Sequence, residues 1–193
     1  MNLILCRPRR LVGFTMLLLG ALLIARPLAH AAQSQVSARE ARSVWAAWKR
    51  SHARPDAATA PKPGDPVFWL RIPSCKISTL VLQESDADAL HRYPGTRQLD
   101  SGGRVAFAHR DMHFRPLAMV RVGDEINTES ADGILTRYTV QQIQILLPEQ
   151  VPSALAESDT PDALHLLTCY PFRYIGPAPK RFLVTARAKA PAH

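Results

Sequence analysis

The larger part of this chain lacks any surplus of charge. Residues 55–193 carry 15 Lys or Arg and 15 Asp or Glu, so the net charge of +8 belongs to residues 1–54, where nine bases face the single acid Glu40. A nucleic-acid-binding domain carries positive charge on its folded part, and a neutral domain excludes that partner. A basic arm beside an apolar stretch suits an anionic membrane surface instead. Cysteine is also scarce. There are three, and Cys6 lies in the arm, which leaves one possible disulfide, Cys75 to Cys169. The chain has no internal repeat and no low-complexity tract beyond one linker, so it is not a repeat architecture.

Its longest apolar stretch, Leu11 to Ala25, is shorter than the ~20 residues of a full membrane span. It follows Arg7, Arg9 and Arg10 and precedes Ala29-His30-Ala31, which is the order of an export signal with a small-x-small cleavage site. Residues 1–32 therefore read as a cleaved signal or a retained N-terminal membrane helix. The helical pattern that follows favours the anchor, because it would keep the domain near the surface. Either way the arginines stay in the cytoplasm. The expected location is the inner (cytoplasmic) membrane, single-pass, with the domain on the periplasmic or extracytoplasmic side.

Residues 33–66 read as a spacer helix and a linker. Ala38, Ala41, Val44, Trp45 and Trp48 recur at helical spacing over Ser37 to His52. A basic helix bearing tryptophans can lie on a membrane interface or pack on the domain as a spacer. Arg54 to Pro66, rich in Pro and Ala, is the linker.

Residues 67–193 form the expected catalytic domain. Across the whole chain sixteen prolines and nine glycines signal many turns. The β-like runs are Val67 to Ile72, Ile77 to Leu82, Arg104 to His109, Asp124 to Asn127, Ile134 to Leu147, Leu164 to Thr168 and Arg181 to Arg187. Turn clusters, among them Tyr93-Pro94-Gly95 and Ser101-Gly102-Gly103, separate them, and short helical pieces fit Asp86 to His91 and Pro116 to Val120. The class is mostly β: a mostly antiparallel barrel with small helices.

Three segments carry chemistry. Val105-Ala106-Phe107-Ala108 runs into His109-Arg110-Asp111, Leu166-Leu167-Thr168 runs into Cys169, and Arg181 opens the last strand. Such strand ends can meet at one barrel mouth. A thiol becomes an effective nucleophile as the thiolate, which an adjacent imidazolium favours. His109 can also protonate a leaving amine. Arg181 offers a fixed charge and a fork of donors to an oxyanion. The Thr168 hydroxyl is a candidate to orient Arg181 or the substrate. Cys75, in Ile72-Pro73-Ser74-Cys75, fits packing rather than chemistry. The spacing His109-x-Asp111-x-His113 is also compatible with a metal site if it lies on a strand, but it offers no clear third ligand.

These segments resemble the sortases, the cysteine transpeptidases of bacterial surfaces. His109-Arg110-Asp111 followed by Phe114-Arg115-Pro116-Leu117 and Val122-Gly123-Asp124 resembles the family's histidine block. Leu166-Leu167-Thr168-Cys169 resembles its Thr-Leu-x-Thr-Cys signature, with His165 at the usual Thr position, and Arg181 lies twelve residues after the Cys. Tyr93-Pro94-Gly95-Thr96 resembles the turn before the histidine block, Ala108 replaces a common Gly, and Ser101-Gly102-Gly103-Arg104 departs from the usual loop. Tyr170-Pro171-Phe172 and the short basic arm are most similar to sortases of Gram-negative proteobacteria.

The resemblance implies an eight-stranded barrel and a two-step reaction. Cys169 would cleave the C-terminal sorting signal of another exported protein, commonly between Thr and Gly or Ala. It would then pass the acyl group to an amine acceptor at the cell envelope, with His109 and Arg181 as partners and neither metal nor cofactor. The alternatives are a hydrolytic cysteine peptidase, in which water resolves the acyl-enzyme, and a non-catalytic exported binding module with a Cys75–Cys169 disulfide.

Overall fold

A computed structural model describes residues 39–51, 61–84 and 86–189. The expected signal or membrane anchor, residues 1–32, lies outside the described residues, as do the start of the spacer and most of the linker. Among the described residues no helix is long and apolar enough to cross a membrane.

Eight strands close into a barrel in the order β1-β2-β3-β4-β7-β8-β6-β5. They are β1 (Pro66–Ile72), β2 (Ile77–Gln83), β3 (Gly95–Gln98), β4 (Arg104–Phe107), β5 (Glu125–Ser130), β6 (Leu135–Leu146), β7 (Ala163–Tyr170) and β8 (Lys180–Ala188). Among the described residues three α-helices accompany them: α1 (39–51), α2 (Ala87–Arg92) and α3 (Val151–Ser158). Two pairings are parallel, β2 with β3 and β4 with β7. Parallel neighbours need a crossover, and α2 lies in the one between β2 and β3.

Several strands are buried on both faces, which explains their unbroken apolar runs. Along β1, Phe68, Leu70 and Ile72 enter the barrel core, whereas Trp69 points outward. Trp69 is covered there by Ala41 and Trp45 of α1, together with Leu80 and Leu82 of β2. The helix is therefore packed on the barrel wall, as a spacer would be, and Trp45 is 5% exposed. On another wall α3 supplies Val151, Ala154 and Leu155, which cover Val105 of β4 and Leu183 of β8, with Leu167 of β7 packed against them. Between β4 and β5 the chain dips inward, and Phe114 and Leu117 are wholly buried in the main core. That core anchor holds the turn that begins at His109.

Some expectations need correction. β4 stops at Phe107, and residues 110–113 form turns, so His109, Asp111 and His113 do not alternate along one strand face. Phe114 pulls the chain inward before a longer strand can form. The Tyr93-Pro94-Gly95 turn leads into β3, a strand too short to show a two-residue rhythm. The piece expected at Pro116 to Val120 is a 3-10 turn, Arg115–Met119, and α3 is an additional helix. The two domain cysteines are both free. Cys75 sits in the barrel core, 1% exposed, whereas Cys169 is half-buried at a strand end, so the disulfide alternative is overturned.

The connection from β6 to β7 is latched to the turn between β3 and β4. One Asp159 carboxylate oxygen accepts the Ser101 N–H at 2.7 Å and the other accepts the Gly103 N–H at 3.0 Å. A Cβ at position 103 would stand 2.3 Å from Asp159 Oδ1 and 2.7 Å from the Thr160 carbonyl oxygen, so only glycine fits the latch. Gly103→Ala is expected to lower the unfolding free energy by about 1–3 kcal/mol in denaturant melts. An unchanged midpoint would show that the latch yields without cost.

Close to this connection His165 is wholly buried, with Nδ1 3.1 Å from Thr185 Oγ1. Burial pushes its pKa below the ordinary 6.5, nearby Asp159 partly opposes that shift, and Arg187 adds to it. The native state therefore binds fewer protons than the unfolded one. The stability this contributes is fully present above about pH 6.5 and is lost as pH falls through the lowered native value. The thermal midpoint is expected to drop on acidification below that point, and His165→Leu to flatten the drop. An unaltered slope in the variant would assign the acid sensitivity elsewhere, for instance to His113, whose pKa burial also lowers.

Candidate active site

The parallel pairing of β4 with β7 sets the register Phe107 opposite Leu167. The contact continues past the end of β4: the Ala108 N–H donates to the Leu167 carbonyl at 3.3 Å, and the Thr168 hydroxyl donates to the Ala108 carbonyl at 2.7 Å. His109 and Cys169 are thus the next residues of two chains leaving the barrel in the same direction. β8 runs antiparallel to β7, and Arg181 stands directly across from Cys169. Residues facing each other in such a pair have Cβ atoms about 5 Å apart on one face of the sheet. The three expected site residues are therefore brought to one end of the barrel, and all three are half-buried.

Alternation fixes which face they share. Leu166 and Phe182 belong to the barrel core, whereas Leu167 and Leu183 lie under α3. Cys169 has the parity of Leu167, and Arg181 that of Leu183. The site thus opens on the outer wall rather than into the lumen. A cleft of about 670 Å³ runs along this wall. Val105, Phe107 and Leu167 line it beside Val151, Pro152 and Leu155, with Glu84, Asp86 and Arg97 among its polar residues.

Thr168 differs from Cys169 in surroundings. It is 3% exposed, and its hydroxyl is committed to the Ala108 carbonyl. That bond ties the strand bearing Cys169 to the residue before His109. The Arg181 guanidinium is tethered as well, since its Nη1 donates to the carbonyls of Ala178 at 3.1 Å and Lys180 at 3.0 Å. The rest of its five-donor fork is not used by those two bonds. Below the site the rings of Tyr170, Phe172 and Phe182 stack and meet edge-on, with centroids 5.1–6.2 Å apart, which stiffens the two strand ends.

Two residues near the site make contacts that the sequence did not announce, Arg110 of the histidine block and His91. Arg110 Nη2 donates to the carbonyls of Tyr174 at 2.8 Å and Gly176 at 3.0 Å, and its guanidinium lies over the Tyr174 ring. It clamps the turn after His109 to the loop between Cys169 and Arg181. His91, at the end of α2, stacks its ring on His109 with centroids 5.0 Å apart. Both contacts join segments far apart in the chain, so no local pattern announces them.

Comparisons with known proteins bear on the family and the fold. A family model described as a sortase domain matches residues 70–189. Sortase D of Bacillus subtilis strain 168 is 28% identical over 137 residues, which cover 68% of each chain. Among solved structures, a Clostridium perfringens sortase D5 transpeptidase superimposes with a TM-score of 0.58 at 17% identity, covering 79% of this chain and 95% of that one. A lid mutant of sortase A from Corynebacterium diphtheriae gives a TM-score of 0.57 at 21% identity, covering 70% and 74%. The structural likenesses concern the fold.

Thr168→Val keeps the shape and β-branching of the side chain but leaves the Ala108 carbonyl without its donor. It is expected to cost about 1–2 kcal/mol in denaturant unfolding, whereas Thr168→Ser stays within about 0.5 kcal/mol of the parent. Equal loss in both variants would mean that methyl packing, not the hydroxyl, matters.

Proposed function

Because this chain belongs to the sortase family and is a cysteine transpeptidase, we propose that Cys169 is its nucleophile, His109 its proton donor and acceptor, and Arg181 its oxyanion partner. The observation that carries this reading is the register: Arg181 faces Cys169 across β7 and β8, and the β4–β7 pairing delivers His109 beside them.

The reaction follows from that geometry. Cys169 passes its thiol proton to His109, and the thiolate attacks the scissile carbonyl carbon, forming a C–S bond and an oxyanion. The fixed Arg181 charge stabilises the oxyanion where it develops. Collapse of the intermediate breaks the C–N bond, and the departing amine takes the proton from His109. A thioester remains on Cys169. An acceptor amine then attacks this carbonyl and yields a proton to His109. The C–S bond breaks, and a new amide is released with the thiolate regenerated. Thr168 acts in this scheme by positioning, through its bond to Ala108, rather than by touching substrate.

The substrate is a C-terminal sorting signal of another exported protein, and the acceptor is an amine at the cell envelope. The apolar cleft beside α3 suits an extended peptide laid along β4 and β7, where shape and apolar contact dominate binding. Residues 1–32 anchor the enzyme in the inner membrane as a single pass, with the catalytic domain on the extracytoplasmic side. The basic n-region followed by an apolar stretch supports this.

The test uses a peptide bearing a Thr-Gly or Thr-Ala pair, first alone to trap the acyl-enzyme and then with an excess of hydroxylamine as acceptor. Mass spectrometry should find an acyl adduct on Cys169, none in Cys169→Ala, and an unchanged adduct in Cys75→Ala. An adduct on Cys75, or one surviving in Cys169→Ala, sinks the assignment, and a free acid as the sole product despite the amine selects the hydrolytic alternative. Arg181→Lys keeps the charge but loses the planar fork, and is expected to lower kcat about 10²-fold.

A further inference from the structure

His109 has a fixed backbone and a side chain that its own segment does not hold. Its carbonyl accepts the N–H groups of Met112 and Phe114, both at 3.3 Å, and Phe114 is wholly buried. The ring itself projects from a turn beyond the last ladder bond of β4 and is only half-buried. An imidazole there would rotate about two side-chain torsions. The proposed reaction needs it in one place twice, first to give a proton to the leaving amine and then to take one from the acceptor.

We propose that His91 is a positioning residue for His109, serving as a fixed wall against which the imidazole lies. The proposal rests on His109 being the proton carrier. The two rings are stacked, with centroids 5.0 Å apart and planes 25° from parallel. A face-to-face neighbour blocks tilting of the ring while leaving its edge, which carries both nitrogens, open.

The wall is itself built in. Six residues are far too few for a helix to be stable alone, so α2 depends on its ends. At its start the Asp86 carboxylate accepts the Ala89 N–H at 2.8 Å. At its finish the Tyr93 N–H donates to the Ala89 carbonyl at 2.8 Å, and the Leu82 N–H holds the Pro94 carbonyl at 2.9 Å. The half-buried His113 ring lies within interaction range of the backbone carbonyls of Arg92 and His91. The segment that carries His109 therefore grips the end of α2 through His113 and receives the His91 ring in return. His91 is exposed, so burial gives no reason for an aromatic ring there, whereas a stack does.

The experiment compares full-length His91→Ala, His91→Phe and His109→Ala in peptide transfer to hydroxylamine, with thermal midpoints as folding controls. Phenylalanine keeps a stacking face but cannot titrate or hydrogen-bond. His91→Ala is expected to lower kcat about ten-fold with KM within about two-fold of the parent, because the misplaced group is needed in the chemical steps. His91→Phe should recover kcat to within about three-fold. Unchanged kcat in His91→Ala overturns the proposal. So does failure of the well-folded His91→Phe to recover activity, which would make the imidazole itself the functional group. Retained turnover in His109→Ala overturns the site assignment beneath it, so the two failures are told apart.

Discussion

The side-by-side exit of β4 and β7 is the constraint on which the rest of this site depends. His109 and Cys169 are sixty residues apart in the chain, and nothing local makes them neighbours. Parallel pairing does, because it sends both strands out of the barrel at the same end. The Thr168 bond to the Ala108 carbonyl extends that pairing one residue past the last ladder position of β4. The antiparallel return of β8 then needs no further device to set Arg181 opposite Cys169. One hydrogen bond and two strand registers thus bring together the three residues proposed as nucleophile, proton carrier and oxyanion partner.

The parts that were legible in the sequence share a physical reason. Where strands are buried on both faces, as in β1 and β7, their apolar runs stand out. Where one face meets water, as in much of β6, the run shows instead through the alternation of Tyr138, Val140, Gln142 and Gln144 with Thr139, Gln141, Ile143 and Ile145. The motif residues were legible because each lies at the abrupt end of such a run. What escaped depends on contacts between distant segments. β3 has four residues and is recruited by its neighbours. α3 opens with Val-Pro, which resembles a continuing loop, and is a helix because Val151, Ala154 and Leu155 cover β4 and β8. The packing of the tryptophan-bearing helix became visible only with Trp69 on the outer face of β1, where Ala41 and Trp45 cover it.

The supporting residues around the site follow the same rule. The latch between Asp159 and the Ser101-Gly102-Gly103 turn holds the connection that carries α3, one wall of the cleft. The departure from a more usual loop at that turn therefore has a local explanation, since a backbone bare of side chain is what lets a carboxylate take two amides at once. His165, at the position where the family signature has Thr, finds Thr185 as partner and stays buried and uncharged near neutrality.

The loop between β7 and β8 serves two masters. Its carbonyls at Tyr174 and Gly176 hold Arg110, and through it the turn of His109, while its carbonyl at Ala178 helps aim Arg181. Loops near an active site are commonly treated as interchangeable modules, free to diverge or be grafted because the scaffold bears the chemistry. Here the scaffold and the module are not separable. A graft that altered the path of this loop would re-aim a guanidinium and release an imidazole's anchorage in one stroke, so under the roles proposed for Arg181 and His109 any change of substrate preference attempted through this segment is tied to catalytic competence from the outset.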